Sequence, residues 1–447
     1  MNITLTLRIL GALLLFLAIA LLVPVPFSWF YGDGAAGAFC LSAIISAGGG
    51  GLLYSRFRSA SDLSVREGFA VVTFGWTFFA LFGALPFVFS GAIPSYLNAF
   101  FETMSGFTTT GSTILTDIEA MPPSLLLWRS LTQWLGGMGI IVLSLAILPM
   151  LGVGGMQLFK AEVPGPTADR LKPRIQDTAK LLWGVYVLLT GVEVILLMVG
   201  GMGFFDGINH AFTTMATGGF STRNDSVAAY DSAFIDWVIT LFMFLAGVNF
   251  SLHYLALRGK LGDFIRNEEF LFYSCLAMLG TTLIALLNMG GTYPDFFDNL
   301  RYSAFQVVSI LTTTGFGTAD YELWPVLCQY LLVFAMFIGG CAGSTGGGMK
   351  VARILLLFKH AHVQVYRLIH PRAVRLVKLG NRPVAKDVMQ SILGFFAVYL
   401  GVFVAASFIM AGVGMDLTSA SASVIATLSN IGPGLGSVGP TDNFAHV

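Results

Sequence analysis

Thr313-Thr314-Gly315-Phe316-Gly317 has three counterparts along the chain: Thr109-Thr110-Gly111-Ser112-Thr113, Ala216-Thr217-Gly218-Gly219-Phe220 and Asn430-Ile431-Gly432-Pro433-Gly434. Their central glycines, Gly111, Gly218, Gly315 and Gly432, are separated by 107, 97 and 117 residues. Each motif closes a semi-apolar stretch, at 95–107, 206–215, 298–311 and 416–428. These stretches are too short to cross a bilayer but long enough for a few helical turns. Ser95, Asp206, Asp298 and Asp416 stand where a short oxygen-bearing side chain would cap each first turn. One Thr-Thr-Gly alone would read as helix packing, which favours small residues in membranes. Four at matching places read as a repeated unit.

Outward from these motifs lie nine apolar stretches, at about 7–30, 35–55, 68–90, 124–151, 180–202, 234–257, 269–291, 323–356 and 388–412. Each approaches the roughly 20 residues needed to cross the hydrocarbon core. The 447 residues are 55% hydrophobic and 11% charged, with mean hydropathy +0.79. An ordinary soluble domain carries about 25% charged residues, so a self-standing soluble protein is excluded. The first stretch is too long and too apolar at its far end for a cleaved signal, and reads as a true span. The unit is therefore span, half-helix, glycine loop, span. Four such loops in one chain can meet around a shared axis, since irregular backbone at membrane depth must be buried in protein or line a water-filled path.

The predicted fold is an all-α membrane protein with four tandem repeats of this unit preceded by a two-helix unit. The boundaries fall at 1–66 for the two-helix unit, then 67–165, 175–262, 265–360 and 385–447 for the repeats. Fifteen residues follow Gly432 and do not form an apolar span. The last span of repeat four is thus expected to be absent from this chain, by truncation rather than natural loss.

The net charge is zero, so partners must be read from where charges sit. Arg8 and the loops around 56–66, 160–180, 258–266 and 359–386 hold nineteen of the 24 Lys and Arg residues. The positive-inside rule makes those loops and the N-terminus cytoplasmic. Asp33, Asp117, Asp206, Asp295, Asp298, Asp320, Asp416 and Asp442 fall on the opposite side, with Arg129, Arg223 and Arg301. Cys40, Cys275, Cys328 and Cys341 lie in or beside apolar segments and read as buried free thiols.

A dehydrated cation needs oxygens that replace its water shell, and stacked backbone carbonyls supply them without fixed charge. Glycine accepts the backbone angles this demands. Short helices aimed inward by their C-terminal ends add partial negative charge where the ion rests, and threonine hydroxyls can add oxygens. No loop centre carries a carboxylate, unlike pores built on acidic rings. The predicted filter residues are Thr109, Thr110 and Gly111; Ala216, Thr217 and Gly218; Thr313, Thr314 and Gly315; and Asn430, Ile431 and Gly432. Glu102 within the first half-helix, and His210 and Arg223 beside the second loop, are expected to make structural hydrogen bonds.

The eighth span is interrupted by Gly339-Gly340-Cys341-Ala342-Gly343-Ser344-Thr345-Gly346-Gly347-Gly348-Met349-Lys350. This glycine density is incompatible with ordinary helix, since each glycine costs about 1 kcal/mol relative to alanine. A phosphate-binding P-loop would need GxxxxGK[ST] after a strand, whereas Val351 follows Lys350. Against the reading of a packing kink, Gly339, Gly340, Gly343, Ser344, Thr345, Gly346, Gly347, Gly348 and Lys350 are predicted to form a mobile gate below the loops. Lys350 would snorkel or add a positive barrier. The basic stretch 359–386 carries His360, His362 and His370. It reads as a solvated loop that orients the chain, with contacts to anionic lipid or a regulatory partner as the next reading.

With these residues in view, the chain resembles the Trk/Ktr/HKT superfamily, and most closely its TrkH-type potassium-uptake proteins of bacteria. Besides the four loops, the resemblance rests on the runs Arg129–Gly139, Phe159–Pro166, Gly247–Tyr254 and Gly339–Lys350. It implies repeats folded like potassium-channel subunits and a function in cellular potassium uptake at the bacterial inner membrane, as a multi-pass homodimer with one pore per protomer. It also implies a cytosolic nucleotide-binding regulatory ring resembling TrkA, so that nucleotide binds the partner and none binds this chain, with no role for nucleic acid. K+ would be the transported ion. Sodium-admitting plant relatives often carry serine at the first filter glycine, whereas glycine stands at all four places here. Relatives place a pore-facing arginine in the closing helix, which is expected to be absent from this chain.

The rival reading is a cation- or proton-coupled secondary transporter. Such folds usually show two-half inverted symmetry with matching broken helices, whereas here the symmetry is serial and fourfold, with one clearly broken span. No carboxylate pair, HExxH or serine–histidine pair suggests an enzyme.

Overall fold

The computed structural model describes residues 2–57, 65–147, 175–380 and 382–446. The run Phe159–Pro166, the basic residues between 160 and 174 and most of the loop 56–66 lie outside the described residues. The helices are α1 (Ile3–Ala20), α2 (Pro24–Tyr31), α3 (Ala36–Arg56), α4 (Val65–Gly83), α5 (Tyr96–Phe107), α6 (Pro123–Ile147), α7 (Ile175–Val199), α8 (Phe204–Met215), α9 (Ala233–Ala246), α10 (Phe250–Leu257), α11 (Glu268–Asn288), α12 (Phe296–Leu311), α13 (Val326–Met336), α14 (Val351–Ile369), α15 (Lys386–Val413) and α16 (Leu417–Leu428). Among the described residues, six helices are long and apolar enough to cross a membrane, or seven if the bent pair α9 and α10 is one span.

Four of these helices, α5, α8, α12 and α16, are the short ones predicted before each glycine motif. Ser95 caps α5 by accepting from Asn98 N, and Asp416 caps α16 by accepting from Thr418 N and Ser419 N. The other two predicted caps are displaced. Asp295 rather than Asp298 caps α12, accepting from Phe297 N and Asp298 N. At α8 the cap position is Gly203, and Asp206 lies in the first turn, where it binds Thr222 and Arg223. Where two suitable residues stand within one turn, the chain uses the one whose backbone is still extended.

The first three short helices each pack against helices on either side in sequence, and the fourth against helices that precede it. α5 packs on α4 and α6; α8 on α7, α6 and α9; α12 on α11, α9 and α13; α16 on α15 and α13. From α8 onward, each short helix therefore also touches a helix that follows the previous glycine motif: α6, α9 and α13 in turn. α1 and α3 form a hairpin whose helices meet at Gly11 and Gly50, where a Cβ on either residue would lie 2.8 Å from the other's carbonyl oxygen.

Two spans depart from the sequence expectation. The stretch 234–257 is not one helix: α9 and α10 meet at 103° across Gly247-Val248-Asn249, and the Asn249 side chain caps α10. A second broken span therefore joins the one predicted at 339–350. In addition, α14 runs through to Ile369, which places His360 and His362 on a helix rather than in a loop. The cysteines are all free, but only Cys328 and Cys341 are buried, while Cys275 is exposed and Cys40 half-buried.

Candidate ion pathway

The ends of the four short helices share one set of hydrogen bonds. Thr110, Gly218, Thr314 and Ile431 each donate their backbone N–H five residues back, to Ser105, Thr213, Ser309 and Ala426, at 2.8–2.9 Å. The residues just before them, Thr109, Thr217, Thr313 and Asn430, donate to Gly106, Thr214, Ile310 and Thr427. This is the turn that normally places glycine in the left-handed region just past a helix end. Here three threonines and an asparagine hold it, at φ +55°, +53°, +62° and +59°. Positive φ on a β-branched residue is a genuine outlier, and strain of this kind concentrates at functional sites.

The same bonds fix the register of the loops. Two residues beyond each strained position the chain is left-handed again, at Gly111, Gly219, Gly315 and Gly432, with φ +82°, +73°, +83° and +97°. In the second loop this residue is Gly219, whereas Gly218 occupies the place of Thr110, Thr314 and Ile431. Equivalence by backbone therefore shifts the sequence-assigned residues of that loop by one, so that Ala216 matches Thr108 and Thr217 matches Thr109. The usable signal was the following phenylalanine: Gly219-Phe220 parallels Gly315-Phe316.

These glycines are required by close approach. A Cβ on Gly111 would overlap the carbonyl oxygen of Gly218, one on Gly219 that of Thr314, and one on Gly315 that of Ile431. A Cβ on Gly432 would lie 3.1 Å from the carbonyl oxygen of Thr110. Each loop's glycine thus faces the carbonyl of the next, and the fourth returns to the first. Asn430 reinforces that closure, donating through Nδ2 to Thr108 O at 3.1 Å and Thr110 Oγ1 at 2.7 Å. Of the twelve residues assigned from sequence, Thr110, Gly111, Gly218, Thr314, Gly315, Ile431 and Gly432 make these contacts, Thr109, Thr217, Thr313 and Asn430 hold the strained turn before them, and Ala216 takes the helix-end place of Thr108.

The segments leaving the loops form a second tier of contacts in the same order. Ile118 N donates to Asn224 Oδ1 at 2.6 Å, Ala228 N to Gly317 O at 3.1 Å, the Tyr321 hydroxyl to Gly434 O at 2.6 Å, and Phe444 N to Thr113 O at 2.8 Å.

On the helix-end side, the ring is covered by residues 339–350. Thr345 Oγ1 donates to Met215 O at 3.0 Å, Gly347 N to Thr313 Oγ1 at 2.6 Å, and Gly348 N to Ser429 O at 3.0 Å. A Cβ on Gly346 would lie 2.9 Å from Thr312 O. The segment thus touches the second, third and fourth loops. It is also tied to the α9–α10 break: Cys341 N donates to Gly247 O at 2.8 Å, and Phe250 N to Gly343 O at 3.1 Å. Ala342 N donates to the Glu269 carboxylate at 2.7 Å. Gly340 and Gly343 face Gly247 and Asn249 across this contact, and Gly339 packs on Gly347 and Gly348. Ser344 Oγ turns back to Cys341 O. Lys350, at φ +73°, folds its ammonium onto Gly346 O within the same segment.

Behind the first two loops lies a buried ion pair that sequence reasoning missed. Arg129 Nε donates to Glu102 Oε1 at 2.8 Å, with the side chains 2% and 0% exposed. The carboxylate also accepts from Thr113 Oγ1 and from Ile114 N, while Arg129 reaches Ser221 O and lies 4.0 Å over the Phe220 ring. The pair links the exits of loops one and two. Removing one partner of such a pair leaves a buried charge uncompensated, at a cost of about 3–5 kcal/mol. Arg129→Met is therefore expected to lower the thermal unfolding midpoint of the purified protein sharply. Arg223→Met, which removes the exposed pairs to Asp206 and Glu119, should cost under about 1 kcal/mol. Equal midpoints for the two variants would contradict a linking role for the buried pair. His210 makes bonds of a structural kind, through Nδ1 to Asp206 O and through Nε2 to Ser221 Oγ.

A family model for TrkH, described as a cation transport protein, matches residues 38–446. The chain is 44% identical over 445 residues to the Trk system potassium uptake protein TrkH of Salmonella typhimurium, covering 98% of this chain and 92% of that protein. It is 42% identical over 441 residues to the protein of the same name from Halomonas elongata, covering 98% and 91%. The crystal structure of the potassium transporter TrkH from Vibrio parahaemolyticus matches with a TM-score of 0.92 at 37% identity, covering 100% of this chain and 93% of that one.

Proposed function

The chain belongs to the TrkH family of cation transport proteins, a transport protein rather than an enzyme, and from that premise we propose that it is a potassium-selective membrane subunit for cellular K+ uptake. The observation that carries the reading is the closed ring in which each loop's glycine faces the next loop's carbonyl. Cation selectivity requires several backbone oxygens held around one axis at a spacing the loops themselves define. Thr110, Gly218, Thr314 and Ile431 would supply one tier of carbonyls. Thr109, Thr217, Thr313 and Asn430 would supply the tier nearer the short helices, whose C-terminal partial charges favour a cation there. The transported K+ is substrate, and no nucleotide is assigned to this chain.

In this reading residues 67–165, 175–262, 265–360 and 385–447 are four pore repeats after a two-helix unit at 1–66, and α5, α8, α12 and α16 are their pore helices. Residues 339–350 gate the path from the inner side. A cytosolic nucleotide-binding ring like TrkA controls that gate, and the chain works as a homodimer in the bacterial inner membrane with its N-terminus cytoplasmic. The coupled-transporter reading would want breaks at matching places of two halves. The two breaks seen here instead close the second and third units and bind each other. Purified protein in potassium-loaded vesicles is expected to carry potassium far faster than sodium, in proportion to the driving force. Equal rates for the two ions would overturn the selective-pore reading, and obligatory proton co-transport would establish the transporter.

A further inference from the structure

The second loop is held differently from the first and third. In those two, the residues at both ends of the strained position are threonines whose hydroxyls bond each other: Thr108 with Thr110 at 2.8 Å, and Thr312 with Thr314 at 2.7 Å. The equivalents in the second loop are Ala216 and Gly218, which have no hydroxyls. Both places lie against α6, and position 218 has no room for a side chain. A Cβ on Gly137 would lie 2.9 Å from Ala216 Cα, and a Cβ on Gly218 would lie 2.5 Å from Gln133 Cδ.

Gln133 fills the space that a side chain at position 218 would take. It is fully buried on α6, and its amide makes two bonds to the loop. Nε2 donates to the Gly218 carbonyl at 2.7 Å, and Oε1 accepts from Phe220 N at 3.1 Å. The amide orientation follows from the partners: a carbonyl only accepts and a backbone N–H only donates, so the flipped amide would satisfy neither.

We propose that Gln133 is the positioning residue of the second loop, an external clasp that replaces the threonine–threonine bond of loops one and three. The inference rests on reading the four loops as a selectivity filter. The carbonyl it holds is the one facing Gly111 of the neighbouring loop. A carbonyl has two lone pairs, so the oxygen that accepts from Gln133 keeps one for a cation. Without the clasp, the Gly218 carbonyl is free to tilt toward a smaller ion. The loss therefore falls on discrimination between ions rather than on transport capacity.

The test uses the full chain in vesicles, with the potassium-to-sodium flux ratio and the potassium flux measured separately. Gln133→Met fills a similar volume without either bond. It is expected to lower the flux ratio about tenfold, the scale of the one lost buried hydrogen bond to the Gly218 carbonyl. Gly218→Ala alone should collide with Gln133 and depress both quantities. Combining it with Gln133→Ala puts the added methyl into the vacated space, so the double variant should carry more potassium than Gly218→Ala alone while the ratio stays low. That pair also gives the reading should Gln133→Met fail to fold. Gly315→Ser serves as the control. If it lowers the ratio while Gln133→Met, or the double variant, keeps the unaltered ratio, the clasp is refuted and the filter reading stands. If Gly315→Ser leaves the ratio unchanged as well, the filter reading falls and the clasp with it.

Discussion

Gly315→Ser is expected to reduce potassium-over-sodium selectivity by about two orders of magnitude. The residue sits at φ +83°, where any side chain is strained, and a Cβ there would overlap the carbonyl oxygen of Ile431. Left-handed backbone costs an L-residue about 1–2 kcal/mol. The carbonyl it displaces would otherwise hold a charged ion, an interaction of roughly 1.5–3 kcal/mol. Loop and carbonyl must move apart to relieve the overlap, and either movement opens the ring to a partly hydrated ion. Gly111→Ser and Gly219→Ser should act alike, since their Cβ atoms would strike the Gly218 and Thr314 carbonyls. Isotope or electrode flux ratios check this, and an unchanged ratio for both Gly111→Ser and Gly315→Ser would remove these loops from the selectivity mechanism. Gly219→Ala should not be relieved by Gln133→Ala, because its obstacle is backbone and not a side chain.

The difference between Gly218 and Gly219 shows where reading the sequence stopped. The loops themselves were legible, because burying irregular backbone four times in an apolar chain requires small residues at recurring places. Ser95 and Asp416 were legible as caps too, each opening the stretch that its helix follows. In Gly218-Gly219 two residues meet the same local requirement, and only the hydrogen bonds of the preceding helix end decide between them. Asp295 and Asp298 pose the same ambiguity at the start of α12.

Other features depend on chain segments far apart in sequence. Glu102 and Arg129 are 27 residues apart and sit on different helices, so nothing local pairs them, although two opposite charges in apolar surroundings were a cue. Gln133 is an ordinary polar residue until Gly218 is seen to leave it space. The break at Gly247-Val248-Asn249 holds one glycine in a strongly apolar stretch, and hydropathy averages across it. Its capping signal, Asn249 accepting from Ser251 N at 2.8 Å, was present but outweighed. That break matters because residues 339–350 dock there.

Deleting Gly343–Gly347 is accordingly expected to raise basal potassium flux ten- to a hundredfold and to abolish dependence on a regulatory partner. The segment is held over the loops by a small number of polar contacts. The deletion removes Thr345, with its bonds to Met215 O and Ala246 O, and Gly347, with its bond to Thr313 Oγ1. It also removes Gly343 O, the acceptor for Phe250 N at the α9–α10 break. Each such bond contributes about 1 kcal/mol net, so losing two or three shifts a covered-to-uncovered equilibrium by one to two orders of magnitude. The direction follows because the lost groups bind the loops only while the segment lies across them. The segment also contacts the α9–α10 break directly, through Asn249 and Phe250. Thr345→Val, which keeps the shape and loses the one hydroxyl proton shared between Met215 O and Ala246 O, should give a smaller rise in the same direction. Flux into vesicles with and without the regulatory subunit measures both variants. A deletion protein that folds normally, with unaltered flux and unaltered regulation, would reduce residues 339–350 to a packing kink between the second and third units.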